Sequence, residues 1–139
     1  MLSKTELGRI GEQIAENFLT KNNYQIIARN FRLRNGEIDI IAIEPPQSGK
    51  SLDTSPFLRP GSKYPTLVFF EVKTRTSDDF GTPLEAITYF KLKALIRSAQ
   101  VYKTSHKNLP DAMRIDALAI IVDPDGVLVS LEHVRNISA

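Results

Sequence analysis

Two stretches of this chain put charge where only apolar side chains are expected. In LVFFEVKTR, residues 67–75, an unbroken apolar run passes straight into Glu71 and Lys73; in GEIDIIAIE, residues 36–44, Asp39 sits between Ile38 and Ile40. Read as strands, both segments look apolar on both faces, so each should be buried on both sides. Leu67, Phe69, Glu71 and Lys73 share one face of the first strand, and Asp39 shares a face with Ile41 and Ile43 on the second. Carboxylates and ammonium groups rarely enter such surroundings without partners, because stripping their water is costly. These residues form either a salt bridge at a strand end or part of a site.

A register choice sharpens the second possibility. If the two strands run antiparallel with Ile43 opposite Leu67, counting four residues inward on each places Asp39 opposite Glu71, with Cβ atoms about 4.5 to 5.5 Å apart. At about 4 Å and an effective dielectric near 20, two carboxylates oppose joint ionisation by about 4 kcal/mol. Protonating one acid relieves this, and a divalent cation relieves it better; oxygen-only ligation suits Mg²⁺ or Mn²⁺. Histidine is not the main ligand type, since His106 and His133 are the only two and lack metal spacing, and the chain has no cysteine. Lys73 would then hold or help deprotonate a water attacking phosphorus.

Further charged residues stand at unusual positions. Glu12 falls at the edge of the apolar arc of a helix over 4–21, beside Gly8, Ala15 and Leu19, where a boundary residue of a surface helix is the ordinary reading. Lys91 lies in the apolar stripe of a later helix, either snorkelling to water or serving a site. Between Glu85 and Asp111 there is no acid but five cations, Lys93 among them, and residues 17–36 carry Lys21, Arg29, Arg32 and Arg34. Such segregation suits a polyanion such as nucleic acid, although a solvated helix face explains charge runs as simply. Arg114 and Asp116, two apart on one strand face, read as a structural ion pair.

The elements that must hold these groups follow from periodicity and punctuation. A helix over 4–21 starts at Ser3 or Thr5, and strands are expected at 24–31, 37–43, 66–73, 113–122 and 127–134, with turns at Asn35-Gly36 and Asp123-Gly126. Thr82-Pro83-Leu84-Glu85 is a capping box, from which a helix runs unbroken to about Tyr102 or restarts at Thr88. Residues 45–65 hold five of the eight prolines and read as a flexible surface loop, whose Lys50, Arg59 and Lys63 could instead brush a polyanion. With 139 residues, 42% hydrophobic and 24% charged, the chain fits one ordinary soluble domain. The lack of cysteine suits a reducing cytoplasm, and neither a membrane span nor a signal peptide is evident.

Taken together, an acid on one strand, Glu-x-Lys on the next and a helical glutamate upstream resemble the PD-(D/E)xK nuclease superfamily. More narrowly, GRIGEQIAENFL, RNFRLRNGEIDIIA, VFFEVKTR, FGTPLEAI and RIDALAI, in that order, resemble the YraN-like family of small endonuclease-like proteins related to archaeal Holliday-junction resolvases. The resemblance spans nearly the whole chain outside 45–65, which looks like an insertion where family members have a tighter turn. It implies an α/β, restriction-endonuclease-like core: a central mixed sheet of about five strands flanked by helices, in the order α-β-β-β-α-β-β. It also implies that Asp39 and Glu71 bind Mg²⁺ or Mn²⁺ with the main-chain carbonyl of Val72, that Lys73 is the catalytic lysine, and that Glu12 is an additional acid near the metal. Arg75 and Lys91 match basic positions of the family, and with Arg34 and Lys93 they are the expected nucleic-acid contacts. The usual basic-polar cluster around Lys91 is interrupted here by Phe90 and Leu92.

The expected function is therefore metal-dependent hydrolysis of DNA phosphodiester bonds, in branched or structured DNA, by an enzyme that is a homodimer by analogy with junction resolvases. Two other readings compete. One is a non-catalytic module of the same fold that binds nucleic acid or protein in DNA repair. The other is purely structural, and needs Asp39 and Glu71 to be satisfied by arginines such as Arg34 and Arg114.

Overall fold

A computed structural model of the protein describes residues 1–46, 64–79 and 81–138. The expected loop at 45–65, with Lys50, Arg59 and Lys63, lies almost wholly outside the described residues. Helix α1, Lys4–Lys21, begins at Ser3 in a capping box: the Ser3 hydroxyl accepts from the Glu6 N–H, and the Glu6 carboxylate accepts from the Ser3 N–H. Strands β1 (Gln25–Leu33), β2 (Gly36–Glu44) and β3 (Thr66–Thr76) follow, then a 3-10 turn at Pro83–Ala86, helix α2 (Tyr89–Ser105), and strands β4 (Met113–Val122) and β5 (Leu128–Val134). This α/β order and a five-stranded mixed sheet match the expected architecture.

The sheet runs β1-β2-β3-β4-β5 in space. β1, β2 and β3 form an antiparallel meander, β3 and β4 are parallel, and β4 and β5 close an antiparallel hairpin. Parallel neighbours need a crossover, which α2 supplies. One face of the sheet, with Ile40, Phe70, Leu118 and Ile120, packs on Ala15 and Leu19 of α1. The other, with Ile38, Ile41, Leu67 and Phe69, packs on Leu95, Ala99 and Tyr102 of α2. The strands buried on both faces are the apolar runs of the sequence, which is the pattern of a sheet covered by helices on either side.

Two local starts differ from the sequence reading. Thr82-Pro83-Leu84-Glu85 makes only a 3-10 turn, in which the Thr82 side chain caps nothing. The helix restarts at Thr88, whose hydroxyl accepts from the Lys91 N–H at 3.2 Å. The unbroken helix is thus excluded. β1 and β3 also run beyond their expected ends, to Leu33 and Thr76, because pairing with β2 and β4 extends past the apolar run.

A buried polar cluster lies on the α1 face of the sheet, the face opposite to that of Glu71. Asp116 is fully buried and receives Arg114 Nε at 2.8 Å, Arg114 Nη2 at 2.9 Å and the Asn136 N–H at 2.8 Å, with His133 Nε2 at 2.8 Å. Glu44 binds Arg114 at 3.1 Å, Arg135 at 2.9 Å and the Tyr24 hydroxyl. The Arg114–Asp116 pair is therefore structural, as expected. It also occupies Arg114 with Asp116 and Glu44 on the opposite face of the sheet from Glu71, so the reading in which arginines neutralise Asp39 and Glu71 does not hold.

Candidate active site

The register assumed from sequence is the one adopted: Ile43 stands opposite Leu67, and the β2–β3 ladder continues to Ile40 opposite Phe70. There the main-chain pairing stops, and the next N–H of β3 aimed at β2, that of Val72, donates to Oδ2 of Asp39 at 2.8 Å. The Asp39 carboxylate thus replaces a backbone acceptor where the strands splay. In an extended strand the N–H and C=O of one residue point to the same neighbour. The Val72 carbonyl therefore also faces the splayed gap beside Asp39.

Glu71 is only 5% exposed, and it shares the face of Leu67 and Phe69 that α2 covers. Its Oε1 receives two ammonium groups, Lys73 Nζ at 3.3 Å and Lys91 Nζ at 3.4 Å. Lys73 arrives by strand alternation, two residues along β3. Lys91 arrives because the Thr88 cap sets the first turn of α2 over the strand end. The out-of-place lysine of the sequence thus has a partner in Glu71, while its side chain stays 44% exposed to water.

The two lysines are driven apart in proton affinity, while Asp39 and Glu12 are both raised. Burial, and then the charge of Glu71, push the Asp39 carboxyl up to about 7, although the Val72 N–H works the other way. Burial, together with the neighbouring Lys91 ammonium, holds Lys73 below the usual lysine range. Lys91 is the reverse case: burial disfavours its charge, but Lys73 and Glu71 hold it above the usual range. Glu12 is raised by burial and by the charges of Glu37 and Glu16. Groups split in this way are suited to separate proton-holding and charge-holding roles.

Two cavities meet at this point. The smaller, about 320 Å³, is lined by Asn35, Glu37, Asp39, Glu71, Lys73 and Lys91, among others. The larger, about 760 Å³, runs toward the start of α1 and includes Glu12, Asp39, Lys73 and Arg75. Asp39, Glu71, Val72, Lys73 and Lys91 are therefore brought together, with Glu12 and Arg75 along the adjoining groove. Arg34 is exposed in the β1–β2 turn and lines neither cavity, and Lys93 projects over the Tyr89 ring instead. Glu37 was not singled out from sequence, yet its charge bears on both Asp39 and Glu12. The signal available was its place two residues before Asp39 on the same strand face.

The donor set fits a hard divalent cation. Among the described residues no three His, Cys, Asp or Glu side chains group closely enough to hold a metal ion. The protein's own donors are then the Asp39 and Glu71 carboxylates and the Val72 carbonyl, with Glu12 in the neighbouring groove. Such a sparse all-oxygen set is typical for Mg²⁺, which keeps several waters and takes further oxygens from substrate phosphate.

Comparison with known proteins agrees with the family read from sequence. The model of a family described as Uncharacterised protein family UPF0102 matches residues 11–120. A UPF0102 protein of Caldanaerobacter subterraneus subsp. tengcongensis is 33% identical over 136 residues, covering 97% of this chain and 96% of its own. Another, from Symbiobacterium thermophilum, is 41% identical over 122 residues, 88% of this chain and 87% of its own. A third, from Geobacter metallireducens, is 35% identical over 135 residues, 97% and 93% of the two chains.

Proposed function

The chain belongs to the UPF0102 family of YraN-like proteins, and for this member we propose a metal-dependent endonuclease that hydrolyses DNA phosphodiester bonds, preferentially in branched or structured DNA. One observation carries the reading: Asp39 and Glu71 converge at the splayed end of β2 and β3, with Lys73 on Glu71 at 3.3 Å. A site kept only for stability gains nothing from a carboxyl whose proton affinity is raised to about 7.

Asp39, Glu71 and the Val72 carbonyl would hold Mg²⁺ or Mn²⁺. When bound, the ion supplies Lewis-acid polarisation of the phosphate and stabilises charge on the departing oxygen. Lys73, with its depressed proton affinity, orients the attacking water and takes its proton as the new P–O bond forms and the bond to the leaving oxygen breaks. Lys91, which retains its proton, supplies a fixed positive charge to the phosphoryl oxygens. Arg75 in the adjoining groove holds a neighbouring phosphate, and Glu12 adds a carboxylate on the same side. Resolution of a junction needs two cuts, so the working form is a homodimer. No helix among the described residues is long and apolar enough to cross a membrane.

The decisive assay is cleavage of labelled duplex, branched and single-stranded DNA with Mg²⁺ or Mn²⁺, comparing the wild type with Glu71→Gln and Lys73→Ala. The expected result is cation-dependent cutting that both variants lose. Identical residual cutting by all three proteins would expose a contaminant and end the proposal. The double ion pair on Glu71 favours one rival, a binding module whose carboxylate is permanently satisfied by lysines. Calorimetry separates the two, since that module binds DNA normally while taking up no Mn²⁺.

A further inference from the structure

The first turns of α2 carry a surface feature that hydrolysis alone does not use. Tyr89 and Phe90 are 65% and 81% exposed, although aromatic side chains of this size are usually buried. Their rings meet edge to face with centroids 5.8 Å apart, and Lys93 Nζ lies 4.8 Å from the centre of the Tyr89 ring. At about 100° per residue, Tyr89, Lys93, Arg97, Phe90, Ala94 and Lys91 follow one another around the helix in that order. The last two line the smaller cavity with Glu71. An arc in which two aromatic and three cationic side chains are interspersed therefore leads from open solvent to the edge of the site.

We propose that this arc is a stacking platform for unpaired bases of a DNA strand whose backbone continues into the Glu71 cavity. The proposal rests on the nuclease reading and specifies its substrate: DNA with a single-stranded or splayed segment beside the cut. Aromatic faces accept any base, and interleaved cations follow the phosphates. The helix has no acid to repel a backbone, since none occurs between Glu85 and Asp111. Phe90, an interruption of the expected basic cluster, becomes a working part of the surface. An apolar protein partner would be poorly matched by Lys93 and Arg97, which have no carboxylate partner among the described residues.

The test uses the full chain in EDTA, where cutting is switched off, and fluorescence anisotropy with a labelled oligo(dT) strand and a hairpin duplex. Tyr89→Ala combined with Phe90→Ala should weaken strand binding at least about tenfold and duplex binding far less, because aromatic faces stack on unpaired bases and not on a closed duplex. Tyr89→Phe combined with Phe90→Tyr should retain binding. The chain has no tryptophan, so Phe90→Trp adds a single reporter whose emission oligo(dT) should quench. Unchanged strand affinity in the double alanine variant, equal losses on strand and duplex, or an unquenched indole would each overturn the platform. Failure of the wild type to cut DNA in Mg²⁺ is a separate result and strikes the nuclease reading instead.

Discussion

The main-chain N–H of Val72 donates to Oδ2 of Asp39 at 2.8 Å, so a side chain on β2 completes the hydrogen bonding of a strand from which its own backbone has parted. This bond holds the Asp39 carboxylate against the buried end of β3, close enough to feel the charge of Glu71. The fold thereby keeps an acid in a place that raises its proton affinity.

That arrangement makes stability depend on pH in a definite direction. The Asp39 carboxyl titrates near 7 in the fold and at an ordinary 3.8 when unfolded, so the native state holds the extra proton between those limits. Stability is fully present below about pH 4 and is lost as pH rises through about 7. Asp39→Asn keeps an acceptor for Val72 and removes the charge. In EDTA it should be more stable than the wild type by on the order of 2 kcal/mol at pH 8, and no more stable near pH 4. Thermal unfolding across that range checks it; a gain independent of pH would show that charge is not the cause.

Lys73 and Lys91 touch the same oxygen of Glu71 but should fail differently. Lys73→Ala should reduce cleavage by about 10² to 10⁴ while leaving Mn²⁺ binding intact, as expected for loss of a proton acceptor. Lys91→Ala removes a positive neighbour that holds the proton affinity of Lys73 down. The rising limb of its pH–rate profile should move to higher pH. If Lys91→Ala merely scaled the rate by one factor at every pH, the coupling between the two ammonium groups would have no catalytic meaning.

The Arg114–Asp116 cluster carries a prediction about stability alone. Burial would raise the Asp116 carboxyl, but hydrogen bonds from His133, Arg114 and the Asn136 N–H bring it below its ordinary value. Its stabilisation is therefore present above pH 3.8 and fades as pH falls below that. Asp116→Ala strands a buried guanidinium and should cost about 3 to 5 kcal/mol at pH 7, and less in acid. Urea unfolding at the two pH values measures it. A loss under about 1 kcal/mol at pH 7 would mean that Glu44 alone satisfies Arg114.

Much of this geometry was legible because burial constrains charge. Asp39, Glu71 and Lys73 stood out as polar groups in runs that had to be covered on both sides, and two-residue periodicity put Glu71 and Lys73 on one face; it does not carry through Asp39, since Ile38 packs on the α2 side and Ile40 on the α1 side. The β2–β3 register needed only the symmetry of the two apolar runs about Ile43 and Leu67. Lys91 was noticed but not placed, because its partner depends on where α2 begins. Competing caps at Thr82 and Thr88 left that start open, and the contest is settled by packing of Leu95 and Ala99 on the sheet, which propensity does not encode. Arg34 is exposed in the β1–β2 turn beside Asn35 and Gly36, which line the smaller cavity, and a run of like charge does not reveal which of its members border a site.

The approach of α1 to β3 sets how closely Glu12 can stand to the acid pair, and two glycines of one helix test it. A methyl group on Gly11 would lie 1.8 Å from Thr74 Oγ1 and 2.8 Å from Thr74 Cβ, far inside contact distance, whereas one on Gly8 would meet nothing within 4 Å. Both substitutions to alanine gain helix propensity, worth up to about 1 kcal/mol. Gly8→Ala should therefore raise Tm. Gly11→Ala must push the helix off the strand beside Lys73, and overpacking of that kind costs about 1 to 3 kcal/mol, so its Tm should fall. Adding Thr74→Ala should restore part of the loss, since the hydroxyl is the nearer obstacle while Cβ remains. Equal and positive Tm shifts for the two glycine variants would mean that α1 does not rest on Thr74, and with it would go the placement of Glu12 beside Asp39 and the groove it lines.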